Sequence, residues 1–401
     1  MDIEEIRADF PVLERKINNK PIVYFDNACM TLKPKQVIDA INDFYLKSTG
    51  CGGRSAHKLG AEVSERVEET RKSVSKFINS KPNEVIFTRN TTESINLVAN
   101  SFNFKQGDVI LTSDREHNSN LVPWQVVANK KKLTHKVVFS NPDMTFNLEA
   151  FKKELNPKVR LVSVVHTSNL DGYTLPVKEI IKLAHGNGSL VLVDAAQSAG
   201  HQQVDVKSLD ADFVVMSGHK MLGPSGTGIL YGKQKLLSEL EPFIVGGDTV
   251  ESTTYESHKF LDSPKKFEAG LQDYAGIFGL GAAVNYLKDI GFDAIHRHEQ
   301  KLNKQISGFL EKLPGCKIIG PDVSQRSGIT SFNIDGLKYH DIALMLNNLS
   351  NVMVRSGQHC LHSWFNAHKL SGSVRASVYL YNTEAEVETF ISAMKQISML
   401  R

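Results

Sequence analysis

The stretch Phe213–Lys233, FVVMSGHKMLGPSGTGILYGK, decides how the rest of the chain is read. It opens as an apolar run that gives out at Ser217. Ser217, His219 and Lys220 then arrive together, and the glycine-rich turn GPSGTG leads into a second apolar run. A short Val-rich run bounded by turn residues is the pattern of a strand buried on both faces. A lysine at such an end is ordinarily a surface residue. Here it stands beside two hydrogen-bonding side chains, ahead of a loop that can close on something small.

The same texture recurs outward. EVIFT (Glu84–Thr88), DVILTS (Asp108–Ser113), VRLVSVVHTS (Val159–Ser168) and SLVLVDAAQS (Ser189–Ser198) read as strands. TTESINLVANSF, opening on a cap-like threonine, and PVKEIIKLAHGNG, closed by Gly186, read as helices between them. Strands alternating with helices imply an α/β fold with a mainly parallel sheet covered by helices. Ligands of such sheets bind at the carboxyl ends of the strands. Beyond Leu271 the order changes: two helical stretches, a strand at GITSFNID, a helix at KYHDIALMLNNL, a strand at SVRASVYLYN and a final helix. The expected organisation is an N-terminal arm (1–20) joining the small domain, a large domain (21–270) and a smaller α+β domain (271–401).

Bulk properties narrow the function classes. The chain has 401 residues, 41% hydrophobic and 23% charged, with a net charge of +3. That charge, with no Lys/Arg stripe interleaved with aromatics, argues against nucleic acid. MDIEEIRADFPVLERK lacks the basic start and apolar core of a signal peptide, and no apolar run approaches the ~18–20 residues of a membrane helix. Four cysteines (Cys29, Cys51, Cys316, Cys360) make no disulfide framework. A cytoplasmic protein with reduced thiols is expected.

Three features set Lys220 apart. Asp194 ends the strand SLVLVD at the same sheet edge, and a buried carboxylate needs a partner. A protonated pyridine nitrogen is such a partner. Pyridoxal 5'-phosphate asks for this set: a lysine for the Schiff base and an acid to keep the ring nitrogen protonated. Gln197 could bond the ring's 3-oxygen. Second, RNTTES (Arg89–Ser94) opens a helix after a strand, so backbone N–H groups and the Thr92 hydroxyl would face an anion there. Ser217 and His219 add donors from the other side; helix capping alone would also account for the threonines. Third, His117 in DREHNSNLVPW (Asp114–Trp124) follows the strand DVILTS. A flat imidazole there could stack on the pyridine ring and move protons.

SGHK, VDAAQ, REHNSN, RNTTESINLVA, FEAG and VRASVYLYNT together resemble the class V, fold-type I pyridoxal-phosphate enzymes over nearly the whole chain. Within them the chain is similar to the cysteine desulfurases that serve iron–sulfur cluster assembly, a branch that includes selenocysteine lyases. The resemblance implies that Lys220 holds the cofactor, Asp194 pairs with the pyridine nitrogen and Gln197 with the 3-oxygen. His117 would stack on the ring, and Thr92, Ser217 and His219 would bind the phosphate. Asn169 would approach the substrate carboxylate and Arg375 would clamp it, a planar guanidinium suiting it bidentately. Arg355 and His57 complete the expected substrate-binding set.

VMVRSGQHCLHSWF (Val352–Phe365) resembles the family's loop for a nucleophilic cysteine. Cys360 would take sulfur from L-cysteine, leaving alanine and an enzyme persulfide; L-selenocysteine is the alternative substrate the resemblance implies. That chemistry needs a thiolate, and Arg355, His359 and His362 supply nearby charge or base. The plain alternative is a small buried hydrophobe. A zinc site from His359, Cys360, His362 and His368 lacks a paired CxxC, so no metal is expected. GPSGTG lacks the Lys-Ser/Thr ending of a P-loop, and no nucleotide is expected.

Three departures from the family pattern stand out. Leu271 follows FEAG where a threonine reaches the neighbouring subunit's phosphate. Gly53 replaces the first histidine of a His-Arg-x-x-His pattern, leaving Arg54 and His57. Cys29 stands in DNACM where a second small alanine is usual, and Cys51 precedes the glycine pair; either thiol is inert packing or a second sulfur relay point. The resemblance implies a homodimer and a sulfur-acceptor protein as partners. Two other readings are an enzyme of the same superfamily (a C–S or C–Se lyase, an epimerase, an aminotransferase) and a weakly catalytic sulfur-trafficking partner.

Overall fold

Seven strands build the main sheet of the computed structural model, which describes residues 2–399. They are β1 (Val85–Thr88), β2 (Val109–Ser113), β3 (Thr134–Val138), β4 (Val159–Val165), β5 (Leu190–Asp194), β6 (Phe213–Ser217) and β7 (Gly228–Gly232). Across the sheet they run β1-β7-β6-β5-β4-β2-β3. Only β7 is antiparallel to its neighbours; the remaining pairs are parallel. The carboxyl ends of β1, β2, β4, β5 and β6 therefore share one edge. Met1, Leu400 and Arg401, the outer ends of the expected arm and small domain, lie outside the described residues.

Side-chain alternation explains why both faces are apolar. Val214 and Met216 join one core with Val191 and Val193. Phe213 and Val215 join another, with Leu192 and Ile110, under the helices Thr91–Ser101 and Asn118–Lys131. Two local expectations shift. The cap of helix Thr91–Ser101 is Asn90, whose Oδ1 accepts from the Glu93 N–H at 3.0 Å, so both threonines lie in the first turn. Gly186 is the last helical residue, and the chain turns left-handed at Gly188 (φ 80°).

A second sheet has strands β8 (Cys316–Ile319), β9 (Ile329–Ile334), β10 (Arg355–Gly357) and β11 (Ser373–Ser377), in the order β8-β9-β11-β10, all antiparallel. Leu302, Ile306, Phe332, Ile342, Leu346 and Phe390 pack its core. The strand expected over SVRASVYLYN pairs only as far as Ser377. Beyond it Tyr379 donates to the Gly200 carbonyl at 2.5 Å, and Tyr381 bonds Asn27, so these phenols tie the chain after β11 to the loop after β5 and to the N-terminal stretch instead of extending the strand. The N-terminal stretch runs between the two sheets: Val23–Tyr24 pairs with Val352–Met353 in parallel, and Asp26 bridges Ser377. Helix Tyr274–Ile290 packs on helices Lys35–Lys47 and Lys58–Phe77, with Ile277, Leu280 and Val284 in the main core.

Candidate active site

The strand ends and the two sheets enclose a cavity of about 270 Å³. Lys220 reaches it from the short turn Gly218–Lys220 that follows β6, and Asp194 reaches it from the end of β5. Burial pushes the Lys220 amine below the usual lysine range; Asp194 opposes that shift, and Arg375 adds to it. Burial pushes the Asp194 carboxyl up, against the Ala196 N–H that donates to it at 2.9 Å and the charge of Lys220. Each group is buried, and each charge offsets part of the other's burial penalty, so a cation beside Asp194 would be strongly favoured.

One rim of the cavity is a set of donors at the start of helix Thr91–Ser101. Asn90, Thr91 and Thr92 line it, with Ser217 and His219 opposite. Ser217 fastens β6 to that helix: its Oγ accepts from the Thr91 N–H at 3.0 Å and donates to Thr91 Oγ1 at 2.8 Å. Thr92 donates to Ser119 Oγ at 2.7 Å. The close approach requires Gly228, where an added Cβ would lie 2.6 Å from Asn90 Cα. That is the work of the glycine-rich turn after Lys220. Burial, with Lys220 and Lys33, lowers His219 to about 4, so the ring is neutral and offers one N–H.

His117 caps helix Asn118–Lys131, its Nδ1 accepting from the Ser119 N–H at 3.0 Å. Burial, Lys220 and Arg375 lower it to about 3. The neutral ring therefore carries its proton on Nε2. Glu116, beside it, is fully buried, and burial pushes its carboxyl up to about 8. It accepts from Ser113 Oγ, Asn120 Nδ2 and the Val165 N–H, at 2.5, 2.5 and 3.1 Å. This residue binds β2, β4 and the His117 turn together, and the sequence reading passed over it.

The opposite rim carries two guanidinium groups. Arg375 on β11 and Arg355 on β10 are direct cross-strand partners, and both line the cavity. Like charges set opposite each other are unfavourable without an anion between or beside them. Arg375 donates to the Asn169 carbonyl at 2.9 Å and to Asp26 at 3.4 Å. Asn169 Nδ2 donates to the His359 carbonyl at 2.7 Å. Cys360 is exposed and lines the same cavity. It and His359 both have left-handed backbone, φ 61° and 49°. Such residues persist where neighbours hold them. Here the Asn118 N–H donates to the Cys360 carbonyl at 2.8 Å, and His359 Nε2 pairs with Ser373 Oγ at 2.9 Å. Cys29 lines the cavity as well.

His57 is not part of this constellation. It caps helix Lys58–Phe77, its Nδ1 accepting from the Gly60 N–H at 3.2 Å. Nearby Arg54 pairs with Asp248 at 2.8 Å on a different cavity, which Gly53 also lines. Thr91, Asn90 and Ser119 are site residues the sequence reading did not single out. The TT pair offered the signal, but which threonine meets Ser217 depends on where the helix starts. Among the described residues no group of three or more His, Cys, Asp or Glu is placed to hold a metal. His368 instead stacks on Trp364 at 4.0 Å. No helix among the described residues is long and apolar enough to cross a membrane.

Four buried polar atoms of this cavity's residues have no partner: Asn169 Oδ1, Gln197 Oε1, His359 Nδ1 and Arg375 Nε. Buried orphans are rare in native proteins, and clustered ones mark a place where a ligand completes the bonding. Pyridoxal phosphate fits this donor set. An amine is present for its aldehyde, a carboxylate for its ring nitrogen and a helix N-terminus with hydroxyls for its phosphate. The Gln197 amide N–H is taken by the Ala28 carbonyl at 2.6 Å, which leaves Oε1 to accept from a ring hydroxyl.

The aminotransferase class-V family model matches residues 23–390. A probable cysteine desulfurase of Synechocystis sp. is 42% identical over 97% of this chain and 94% of its own length. One of Staphylococcus aureus is 39% identical, over 98% of this chain and 96% of its own. Among solved structures, the apo cysteine desulfurase of Thermococcus onnurineus NA1 superposes with a TM-score of 0.95 at 38% identity, covering 100% of this chain and 99% of that one. The cysteine desulfurase CsdA of Escherichia coli, in an S-sulfonic acid form, gives 0.92 at 31% identity, with 100% and 99% covered.

Proposed function

Because the chain belongs to the aminotransferase class-V family, we propose that the cavity under Lys220 is the active site of its cysteine desulfurase activity. The enzyme uses pyridoxal phosphate and takes L-cysteine as substrate, with L-alanine and an enzyme-bound sulfur as products. When bound, the cofactor supplies an electron sink that labilises bonds at the substrate's α and β carbons. The chain's own residues do the rest. Lys220 would hold the cofactor covalently and later carry protons, its lowered pKa making the free amine accessible. Asp194 would hold the ring nitrogen protonated, with Gln197 on the 3-oxygen. His117, neutral with its proton on Nε2, would cover the ring face. Thr92, Ser217 and His219, joined by Thr91, would cradle the phosphate. Arg375 and Asn169 would clamp the substrate carboxylate, with Arg355 beside them. Cys360 would attack the substrate sulfur and keep it as a persulfide, in a cavity it shares with the two guanidinium groups. His57, assigned to substrate binding on the resemblance, lies outside this chain's own cavity, at the helix start it caps.

The cluster of four orphaned polar atoms around one amine–carboxylate pair carries this reading. The proposed division into arm (1–20), large domain (21–270) and small domain (271–401) has the cysteine loop on the smaller part, although helix Tyr274–Ile290, on the small side of that boundary, packs in the main core. A homodimer is the proposed assembly. Phe243, Ile244, Val245 and Leu271 are large apolar side chains left 44–66% exposed, more than a soluble surface favours. Delivery of the persulfide to an acceptor protein for iron–sulfur assembly in the cytoplasm is the proposed destination. The test is product analysis. Native enzyme with L-cysteine should form alanine and a persulfide on Cys360. Lys220→Ala should lose the borohydride-fixed cofactor. Cys360→Ala should keep the cofactor and form no persulfide. Undiminished alanine formation by Cys360→Ala would refute the nucleophile assignment.

A further inference from the structure

The cavity holds a second thiol, and its placement has a chemical consequence that rests on the desulfurase reading. Cys29 is half-buried where Cys360 is exposed, and both line the cavity. The turn carrying Cys29 is clamped on three sides. The Cys29 N–H donates to the Asp26 carbonyl at 3.1 Å and the Ala28 N–H to Ser377 Oγ at 2.9 Å, while the Ala28 carbonyl accepts from Gln197 at 2.6 Å. Ser377 ends β11, the strand that presents Arg375. Arg375 is 3% exposed, and its Nε, without a partner, belongs to the cavity rim. That orphan donor leaves a bond for an anion in the cavity that Cys29 lines. Burial lowers both Lys220 and Arg375, and Cys29 lies near enough to oppose part of that lowering in each, so the two cations and the thiol are within mutual electrostatic reach.

We propose that Cys29 is a second sulfur acceptor of the active site, taking the outer sulfur from the Cys360 persulfide. The Cys29 thiolate attacks the terminal sulfur. A new S–S bond forms at Cys29, the S–S bond at Cys360 breaks, and Cys360 departs as thiolate. The proton that Cys29 gives up is matched by the one Cys360 regains. One sulfane sulfur moves between thiols of the same oxidation level, so no oxidant or reductant is needed. The step is the persulfide form of thiol–disulfide exchange. The added sulfur extends the Cys360 side chain by about 2 Å, so its reactive atom lies further from the loop than Sγ does. Arg355 and Arg375 line the cavity that the two sulfurs share. The result is a sulfur stored at the half-buried thiol and a Cys360 free for another turnover.

The test is mass mapping of the holoenzyme after L-cysteine without reductant, with free thiols and persulfides blocked by a haloacetamide. The native chain should carry an added sulfur on both Cys29 and Cys360. Cys29→Ala should carry it on Cys360 alone, and Cys360→Ala should carry it on neither. Sulfur on Cys360 with Cys29 unmodified overturns the proposal. So does sulfur on Cys29 in Cys360→Ala, which would make Cys29 a direct nucleophile. A Cys29–Cys360 disulfide with sulfide released would also overturn it, because attack would then fall on the inner sulfur. If native Cys360 gains no sulfur at all, the desulfurase reading itself fails, and this inference fails with it.

Discussion

Breaking the buried Arg115–Asp171 pair should cost the protein both stability and the alignment of its cysteine loop. Arg115 lies two residues before His117, Asp171 two residues after Asn169, and the Trp364 ring sits 5.6 Å from the guanidinium, four residues beyond Cys360. The side chains of Arg115 and Asp171 are 2% and 0% exposed and bonded to each other. Arg115 also donates to Ser140 Oγ at 3.2 Å and to the Met144 carbonyl at 2.7 Å, while Asp171 accepts from the Tyr173 N–H at 3.1 Å. Asp171→Ala leaves a buried guanidinium with only Asp114, 3.9 Å away, as counter-charge, a change that costs up to about 3–5 kcal/mol. At about 2.1 cal/mol/K per residue, 401 residues unfold with an entropy of ~0.8 kcal/mol/K, so Tm should fall by roughly 4–6 °C. Arg115→Met with Asp171→Leu removes both charges and should recover most of that loss. The double variant should still form persulfide on Cys360 more slowly than native enzyme, because the buried tie between the His117 and Asn169 segments is then lost and the cysteine loop keeps, to those segments, only its bonds to Asn118 and Asn169. Thermal scans of native, single and double variants, with persulfide mapping, read both effects. A single variant that melts within a degree of native, or a double variant no more stable than the single, would refute the reasoning.

Three further outcomes are expected. Arg375→Lys keeps the charge and loses the fork, so KM for L-cysteine should rise about 10- to 100-fold, the equivalent of one charge-assisted bond; steady-state kinetics checks it. His219 is lowered from 6.5 to about 4, so the unfolded chain binds the extra proton between those values. Its contribution is present above pH 6.5 and lost as pH falls toward 4; the slope of Tm against pH in that window should be shallower in His219→Gln. Gly228→Ala places a methyl against the Asn90 backbone and should destabilise by about 1–3 kcal/mol. Its cofactor should also dissociate more readily, measured as absorbance lost on dialysis.

The strands and their ends could be read from the chain because their signal is local. VILTS, LVLVD and FVVMS are all or nearly all buried, as runs without polar interruption imply. A parallel sheet then puts the residues after each run on one edge, so Asp194 and Lys220 could be paired before any coordinates. Arg375 and Cys360 were named only through resemblance, and their meeting with Lys220 depends on how the second sheet packs on the first. The short reach of SVRASVYLYN as a strand was hidden for the same reason: Tyr379 and Tyr381 find their partners 179 and 354 positions away.

Composition and periodicity by themselves determined the alternating elements, the sheet edge and an amine–acid pair fit for pyridoxal phosphate. Hydrophobic spacing is a property of consecutive residues, and it survives without the fold. Tertiary packing alone decided that Thr91 meets Ser217 while Thr92 meets Ser119, that His57 stands outside the cavity, and that Cys29 stands inside it with Cys360. Those placements follow from contacts between segments far apart in the chain, where a shift of one residue in a helix start or a strand register moves a side chain from one surroundings to another.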